Sequence, residues 1–260
     1  MSFANQVAII TGASSGIGWS LAKVLAAQKC AVGLLARRRE NLEKLTEEIR
    51  AAGGRAAFAV ADVSDRHATL QGIDTVRQEL GPVDLLIANS GVGQPTPLEP
   101  QDVPLVETMF KVNTLGVIYA IEGVLPQMLQ RGRGHLAAVS SLAAYKGMPG
   151  ESAYCASKAA VNVYMEGLRI QLRTRGIAVT TICPGFVKTP MTDVNTFPMP
   201  WLMDADTAAR KIVRALRRKK KVYNFPWQMT LLTKFTRWLP DWLLAWYMKG
   251  YTGDRPHPPG

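Results

Sequence analysis

Tyr154 and Lys158 lie four residues apart in a stretch, residues 153–175, whose apolar pattern predicts a helix. Side chains at that spacing share one face, one turn apart. An ammonium beside a phenol favours the phenolate and would lower the tyrosine pKa from its ordinary value of about 10. Ser141 follows the short apolar run 136–139, which reads as a buried strand, and could aim its hydroxyl at the same point. A phenol of lowered pKa beside a hydroxyl donor is a proton-transfer site for a carbonyl or alcohol oxygen. Tyrosine and lysine four apart are also common on solvated helix faces, so the pair gains meaning only from the elements that must position it.

The decisive element stands at the start of the chain. Residues 7–10 form a strand-like apolar run, followed at once by Thr11, Gly12, Ala13, Ser14, Ser15, Gly16, Ile17 and Gly18, and then by a helical pattern over 19–28. Strand, glycine-rich turn and helix form the phosphate-binding arrangement of a dinucleotide fold. Gly12 permits the tight turn, Gly16 lets backbone approach a pyrophosphate, and Gly18 lets helix pack closely on strand; Ser14, Ser15 and Ile17 complete the loop.

Thr-Gly-x-x-x-Gly-x-Gly near the N-terminus, with Tyr-x-x-x-Lys downstream, resembles the short-chain dehydrogenase/reductase family. The resemblance covers residues 7–190. It implies that Asp62 and Val63 contact adenine and that Asn89, Ser90 and Gly91 border the cofactor, with Ser90 replacing the family's usual alanine. It implies that Asn113 kinks its helix and holds a water for proton relay. Ser141, thirteen residues before Tyr154, would complete a catalytic set of Asn113, Ser141, Tyr154 and Lys158, with Ser140 a cofactor-side neighbour. Tyr154 and Lys158 would also touch the nicotinamide ribose, and Pro184, Gly185, Val187 and Thr189 would grip the nicotinamide carboxamide.

Strand and helix patterns alternate along the chain. Strands are expected at 31–35, 56–60, 85–88 and 178–183. Helices are expected at 40–51 and 65–80, and a long one follows the proline-rich loop 95–104 and ends near 130. Short apolar strands separated by helices predict an α/β fold, a doubly wound Rossmann-type parallel sheet covered on both faces in a single domain. Residues 1–190 would be the dinucleotide-binding and catalytic core, 191–225 the substrate-side lid and last strand, and 226–260 a basic, Trp-rich tail.

Cofactor choice rests on the end of the second strand. NAD-selective folds place a carboxylate there, whereas a basic residue favours the 2′-phosphate. Ala36 occupies that place and Arg37 and Arg38 follow, so NADP(H) is expected, with Arg37 the leading contact and Ser14 a helper. Cations at a helix start oppose its dipole, which itself points to a ligand role.

Composition agrees. The chain has 260 residues, 47% hydrophobic, and a formal net charge of +11; its mean hydropathy is near zero, which argues against disorder and against an integral membrane protein. Cys30, Cys155 and Cys183 have no metal or redox spacing and read as buried small residues. His67, His135 and His257 share no metal spacing, so no metal is expected. The first strand starts soon after Met1 with no leader pattern before it, and a cytoplasmic protein is expected.

Beyond Thr189 the sequence is unusual. Residues 191–203 form an apolar, proline-interrupted loop containing Phe197 and Trp201; with a helix at 206–217 it could form a lid over a lipophilic substrate. A basic run, 217–221, precedes an edge strand at 222–225. From Trp201 onward there are 12 Lys+Arg against 4 Asp+Glu, and five of the six tryptophans. Leu232, Phe235, Leu239, Trp242, Leu243 and Trp246 fall at helical spacing, and Pro240 splits the stretch. A basic, Trp-rich, amphipathic segment reads as a peripheral membrane contact over residues 226–250, too short to span a bilayer. The alternatives are a cap on the pocket or packing on a second subunit. Nucleic acid explains the charge less well, since no recognised binding module accompanies it.

The reading that follows is an NADP(H)-dependent oxidoreductase interconverting a carbonyl and an alcohol, with a homo-oligomer expected by analogy. The alternative is a non-catalytic NADP-binding regulatory or scaffold protein.

Overall fold

A computed structural model describes residues 2–96, 98–195 and 198–247. Phe197 of the expected lid, and the tail beyond 247 with His257, lie outside the described residues. Seven strands, β1 (Val7–Thr11), β2 (Ala31–Ala36), β3 (Ala56–Val60), β4 (Leu85–Ala88), β5 (Gly134–Val139), β6 (Ile177–Pro184) and β7 (Val222–Phe225), form one sheet in the order β3-β2-β1-β4-β5-β6-β7. Every neighbouring pair is parallel. Consecutive strands of a parallel sheet need crossovers, which here are helices on both faces.

The strands read as unbroken apolar runs because alternate residues enter separate cores. Ala8, Ile10, Val32, Leu34 and Ile87 face one core with Leu21 and Leu25 of α1 (Gly16–Ala26) and Leu42 of α2 (Arg39–Ala51). Ile9, Leu35 and Leu86 face the other with Val76 of α3 (Arg66–Leu80), and with Ile121, Val161 and Met165 farther along the chain. β1 pairs with β2 on one side and β4 on the other, so the chain reverses its winding there. The C-terminal ends of β1 and β4 mark this switch point, where open α/β sheets bind ligands in a crevice.

The expected long helix is interrupted. It comprises α4 (Val103–Phe110), a π-helical turn (Lys111–Leu115) that includes Asn113, and α5 (Gly116–Arg131). By length and composition the stretch Val103–Arg131 could cross a membrane. In the fold its buried residues, among them Met109, Val117, Ile121 and Val124, pack inward as a core element. Helix α6 (Ser152–Gln171) carries Tyr154 and Lys158.

Helix α7 (Ala205–Arg217) departs from expectation: it is no lid. Ala208, Ile212 and Leu216 are wholly buried in the core beside α1, and Ser20 donates to Asp206 at 2.6 Å. One apolar face on an otherwise basic helix is satisfied by burial in the body. The basic run also lies away from the crevice. Arg217 reaches Gln28 and the Phe3 ring, and Lys219 adds its charge to the burial that lowers the His135 pKa. β7 then carries the chain back to the crevice end, where α8 (Trp227–Thr236) and α9 (Asp241–Tyr247) follow on either side of Pro240.

Candidate active site

The glycine loop is clamped from β4. The Thr11 hydroxyl accepts from the amides of Asn89 (3.0 Å) and Ser90 (3.1 Å), and the Asn89 carboxamide donates back to the Thr11 and Gly12 carbonyls. Asn89 thus holds the loop's shape. Gly12 has φ +67°, and a Cβ there would lie 2.9 Å from the Ser90 Cα; Gly16 has φ +55°, and its Cβ would lie 2.8 Å from Thr189 Cγ2. Only glycine is free of penalty in this conformation and at this approach.

Helix α1 starts without a side-chain cap and without an acidic residue in its first turn, whereas Asp65, Asp102 and Asp204 cap α3, α4 and α7. Uncapped amides at a helix N-terminus, in a cleft faced by Thr189, are the donor set that a pyrophosphate needs. A dinucleotide therefore fits the residues present.

The two arginines diverge. Arg38 donates to the Ser14 hydroxyl (3.0 and 3.2 Å) and to the Ser15 hydroxyl (2.7 Å), while Asn41 donates to the Ser14 carbonyl. Arg37 instead pairs with Asp62 at 3.7 Å, with both side chains largely exposed. The sequence expectation favoured Arg37. The structure brings Arg38 to the loop because it occupies the cap position of α2 and folds back over Ser14 and Ser15. Val63, next to Asp62, is buried, and a Cβ on Gly116 would touch it.

The catalytic candidates gather along the same crevice. Ser141 caps a 3₁₀ turn (Leu142–Tyr145), accepts from the Ala143 amide at 3.1 Å, and lies close enough to the Tyr154 phenol to favour its ionised form. The Lys158 ammonium is buried, donates to the Val139 carbonyl at 3.1 Å and lies 6.0 Å from the Tyr154 ring centre. Asn113 is fully buried. Its carboxamide oxygen accepts from the Val92 amide (2.8 Å), and its nitrogen donates to the Val92 carbonyl (2.9 Å) and the Ser157 hydroxyl (3.0 Å). These bonds account for the π turn, since they draw the helix towards the loop after β4. A Cβ on Gly91 would sit 3.1 Å from the Lys158 ammonium and 3.3 Å from the Asn113 oxygen, and one on Gly93 would sit 3.3 Å from the Tyr154 ring. The four groups therefore line one wall. Ser140 is turned into the body, donating to the Lys158 carbonyl at 3.0 Å, and so it ties α6 to β5 instead of facing a cofactor.

The expected lowering of the phenol pKa does not occur. Burial pushes Tyr154 up to about 12, against the opposing hydrogen bond from Ser141, and burial pulls Lys158 down to about 8. Desolvation outweighs attraction because both groups are buried and the ammonium is turned to the Val139 carbonyl, 6.0 Å from the Tyr154 ring centre. In this form Tyr154 is a protonated phenol, a donor.

On the substrate side, Met191 lies against Gly93, and the loop from Thr189 returns where Val187 pairs with Met203. The Thr192 hydroxyl accepts from the Thr189 amide at 2.9 Å. Gly185, after Pro184, packs under Met229 of α8, with Leu142 also in reach. Tyr145 donates to Asn224 (3.1 Å), and Lys146 pairs with Asp241 of α9 (3.0 Å). Three contributors escaped the sequence reading: Asn41, Ser157 and Met229. Only Ser157 left a signal, one helical turn after Tyr154, whose carbonyl it bonds at 2.8 Å.

With this geometry in place, known proteins agree. The sequence profile of the short chain dehydrogenase family matches residues 6–197. An uncharacterized oxidoreductase of Myxococcus xanthus is 40% identical over 236 residues, covering 91% of this chain and 93% of its own. The glycine betaine reductase of Emericella nidulans is 35% identical over 227 residues, 84% of this chain but 18% of the larger protein. Among solved structures, a short-chain dehydrogenase/reductase from Burkholderia phymatum in complex with NAD superposes with a TM-score of 0.84 at 24% identity, covering 90% of this chain and 93% of its own. A variant of actinorhodin polyketide ketoreductase with NADPH superposes with a TM-score of 0.78 at 26% identity, covering 86% of this chain and 97% of its own. The chain belongs to the short-chain dehydrogenase/reductase family and is an NAD(P)-dependent oxidoreductase.

Proposed function

We propose that this protein interconverts a carbonyl and an alcohol on a lipophilic small molecule, using NADP(H). The observation that carries the reaction is the buried Tyr154 phenol, with the Ser141 hydroxyl near it and the buried Lys158 ammonium 6.0 Å from its ring, beside the glycine loop. Bound there, the nicotinamide supplies or takes the hydride. Tyr154 donates a proton to the carbonyl oxygen, and Ser141 orients that oxygen. Lys158 sets the local positive charge, and Asn113, locked by Ser157 and Val92, fixes the wall behind it. Gly12, Ser15, Gly16, Ile17 and Gly18 hold the pyrophosphate, Asp62 and Val63 border adenine, and Ser90 and Gly91 pass beneath the nicotinamide half. Pro184, Gly185, Val187 and Thr189 frame the carboxamide.

NADP(H) is favoured because Ala36 offers no carboxylate to repel a 2′-phosphate and Arg38 bridges Ser14 and Ser15 beside it. A lipophilic substrate is favoured by the side chains at the open wall, Met191, Leu142 and Met229. Family members typically oligomerise, and Val163 and Ile170 on α6, 69% and 71% exposed, offer a face for a second copy. A cytoplasmic setting agrees with three free, buried cysteines.

The test is the ratio of kcat/KM for NADPH and NADH with a water-soluble ketone. NADPH should be preferred. Arg38→Ala should cost NADPH about 10- to 100-fold, the worth of a charge-assisted bond to phosphate, and leave NADH nearly unchanged. A wild-type preference for NADH, or an Arg38→Ala protein unchanged towards NADPH, overturns the cofactor assignment.

A further inference from the structure

Helix α8 is amphipathic in the wrong direction for a packed element. Thr230, Thr233 and Thr236 lie on its part-buried side with Met229, while Trp227, Leu231 and Phe235 face outward, 68%, 59% and 64% exposed. Trp238, just past the helix end, is 86% exposed, and Trp242 and Trp246 on α9 add 71% and 70%. Residues 227, 231, 235 and 238 fall within an arc of about 80° on one helical face. Exposed aromatic side chains in this number on two consecutive helices mark an interaction site.

Charge says what covers it. No aspartate or glutamate occurs between Asp206 and Asp241, and the first acid beyond, Asp241, is paired with Lys146. Lys234 and Arg237 flank the aromatic stripe, and neither is ion-paired among the described residues. Together with Tyr145 and Trp238 they line a cleft of about 420 Å³. Two cations and a tyrosine in an aromatic-walled cleft, opening beside an apolar stripe, match a headgroup phosphate lying above acyl chains. A second copy of the chain is a poorer occupant, since it would bring another net charge of +11 to a rim where, among the described residues of α8 and α9, the one acid, Asp241, is already paired.

We propose that the outward face of α8 and α9 docks on an anionic lipid surface, with Lys234 and Arg237 taking headgroup phosphate. α8 packs on the turn that follows Ser141 and on Gly185, so docking sets the substrate wall against the membrane. The second half of the inference, that substrate arrives from lipid, rests on the oxidoreductase reading above.

Vesicle co-flotation of the full chain tests the docking without any turnover. Wild type should float with vesicles of phosphatidylcholine containing phosphatidylglycerol and remain behind with phosphatidylcholine alone. Trp238→Ala/Trp242→Ala and Lys234→Gln/Arg237→Gln should each weaken binding at least tenfold, as expected for interfacial tryptophans and cations near an anionic surface. Inorganic phosphate at matched ionic strength should not release the protein. Equal partitioning to both vesicles, full release by phosphate, or a dimer that the tryptophan variant dissolves each overturns the docking. Turnover supplies the second readout: the tryptophan variant should match wild type on a soluble ketone and fall at least tenfold on a ketone dissolved in anionic vesicles. Loss on neither ketone overturns delivery from lipid. Wild-type inactivity on both would overturn the carbonyl–alcohol reading proposed above, and flotation would stand apart from it.

Discussion

Lys158→Met should make the protein more stable while abolishing turnover. The lysine is buried, its charge meets one carbonyl, and its pKa falls from 10.5 to about 8. At 1.36 kcal/mol per pKa unit, holding the ammonium charged at pH 7 costs about 3 kcal/mol relative to the solvated chain. Methionine has nearly the same length and carries no charge. It forfeits the bond to the Val139 carbonyl, worth about 1 kcal/mol, so the net gain at pH 7 is about 2 kcal/mol. The sign with pH follows from the depressed value: between 8 and 10.5 the unfolded chain binds more protons, so wild-type stability from this group rises with pH through that window. The gap between the two proteins should therefore narrow by about 2 kcal/mol from pH 7 to 9.5. Urea unfolding of cofactor-free protein at both pH values measures it. A variant less stable than wild type at pH 7, or a gap indifferent to pH, refutes the claim that desolvation of Lys158 outweighs its bonds.

Tyr154→Phe should reduce kcat by about 10²- to 10⁴-fold, the usual share of a positioned acid, with NADPH affinity by fluorescence titration within about twofold of wild type; parallel loss of both would make Tyr154 structural. His135 is buried against Thr180 at 2.8 Å, and burial pulls its pKa from 6.5 to about 4. Its stabilising contribution is complete above pH 6.5 and lost as pH falls towards 4, so wild type should lose about 2 kcal/mol between pH 7 and 5 that His135→Gln does not. Superimposable unfolding profiles for the two proteins over that range would exclude the effect.

Much of this architecture was legible because a parallel sheet buried on both faces leaves a plain mark: apolar runs of four to six residues set between amphipathic ones. The glycine loop was legible for a similar reason, since backbone with φ +67° and +55° against neighbouring chain admits only one residue type. Tyr154 and Lys158 could be placed on one face by helical spacing alone. Their electrostatics could not, because spacing fixes distance along the helix but not which way an ammonium turns. The Val139 carbonyl, nineteen residues away, decides that. The same limit hid the exchange between Arg37 and Arg38. Adjacent residues at a strand end diverge by strand alternation, and only the three-dimensional position of Ser14 and Asp62 tells which guanidinium meets which partner.

The C-terminal region shows why charge counted along a chain is not charge on a surface. In sequence, the run Arg217, Arg218, Lys219, Lys220 and Lys221 and the tryptophans after it look like one basic aromatic segment. In the fold, β7 lies between them. The arginine that opens the run meets Gln28 and Phe3 away from the crevice, whereas α8 begins at the Pro226 that follows the other end of β7 and reaches Gly185. What remains beside the aromatic face is a smaller and more specific set of charges, Lys234 and Arg237. Two cations that share a cleft with an indole and a phenol can select for a phosphate, which a diffuse patch of +8 could attract but not orient.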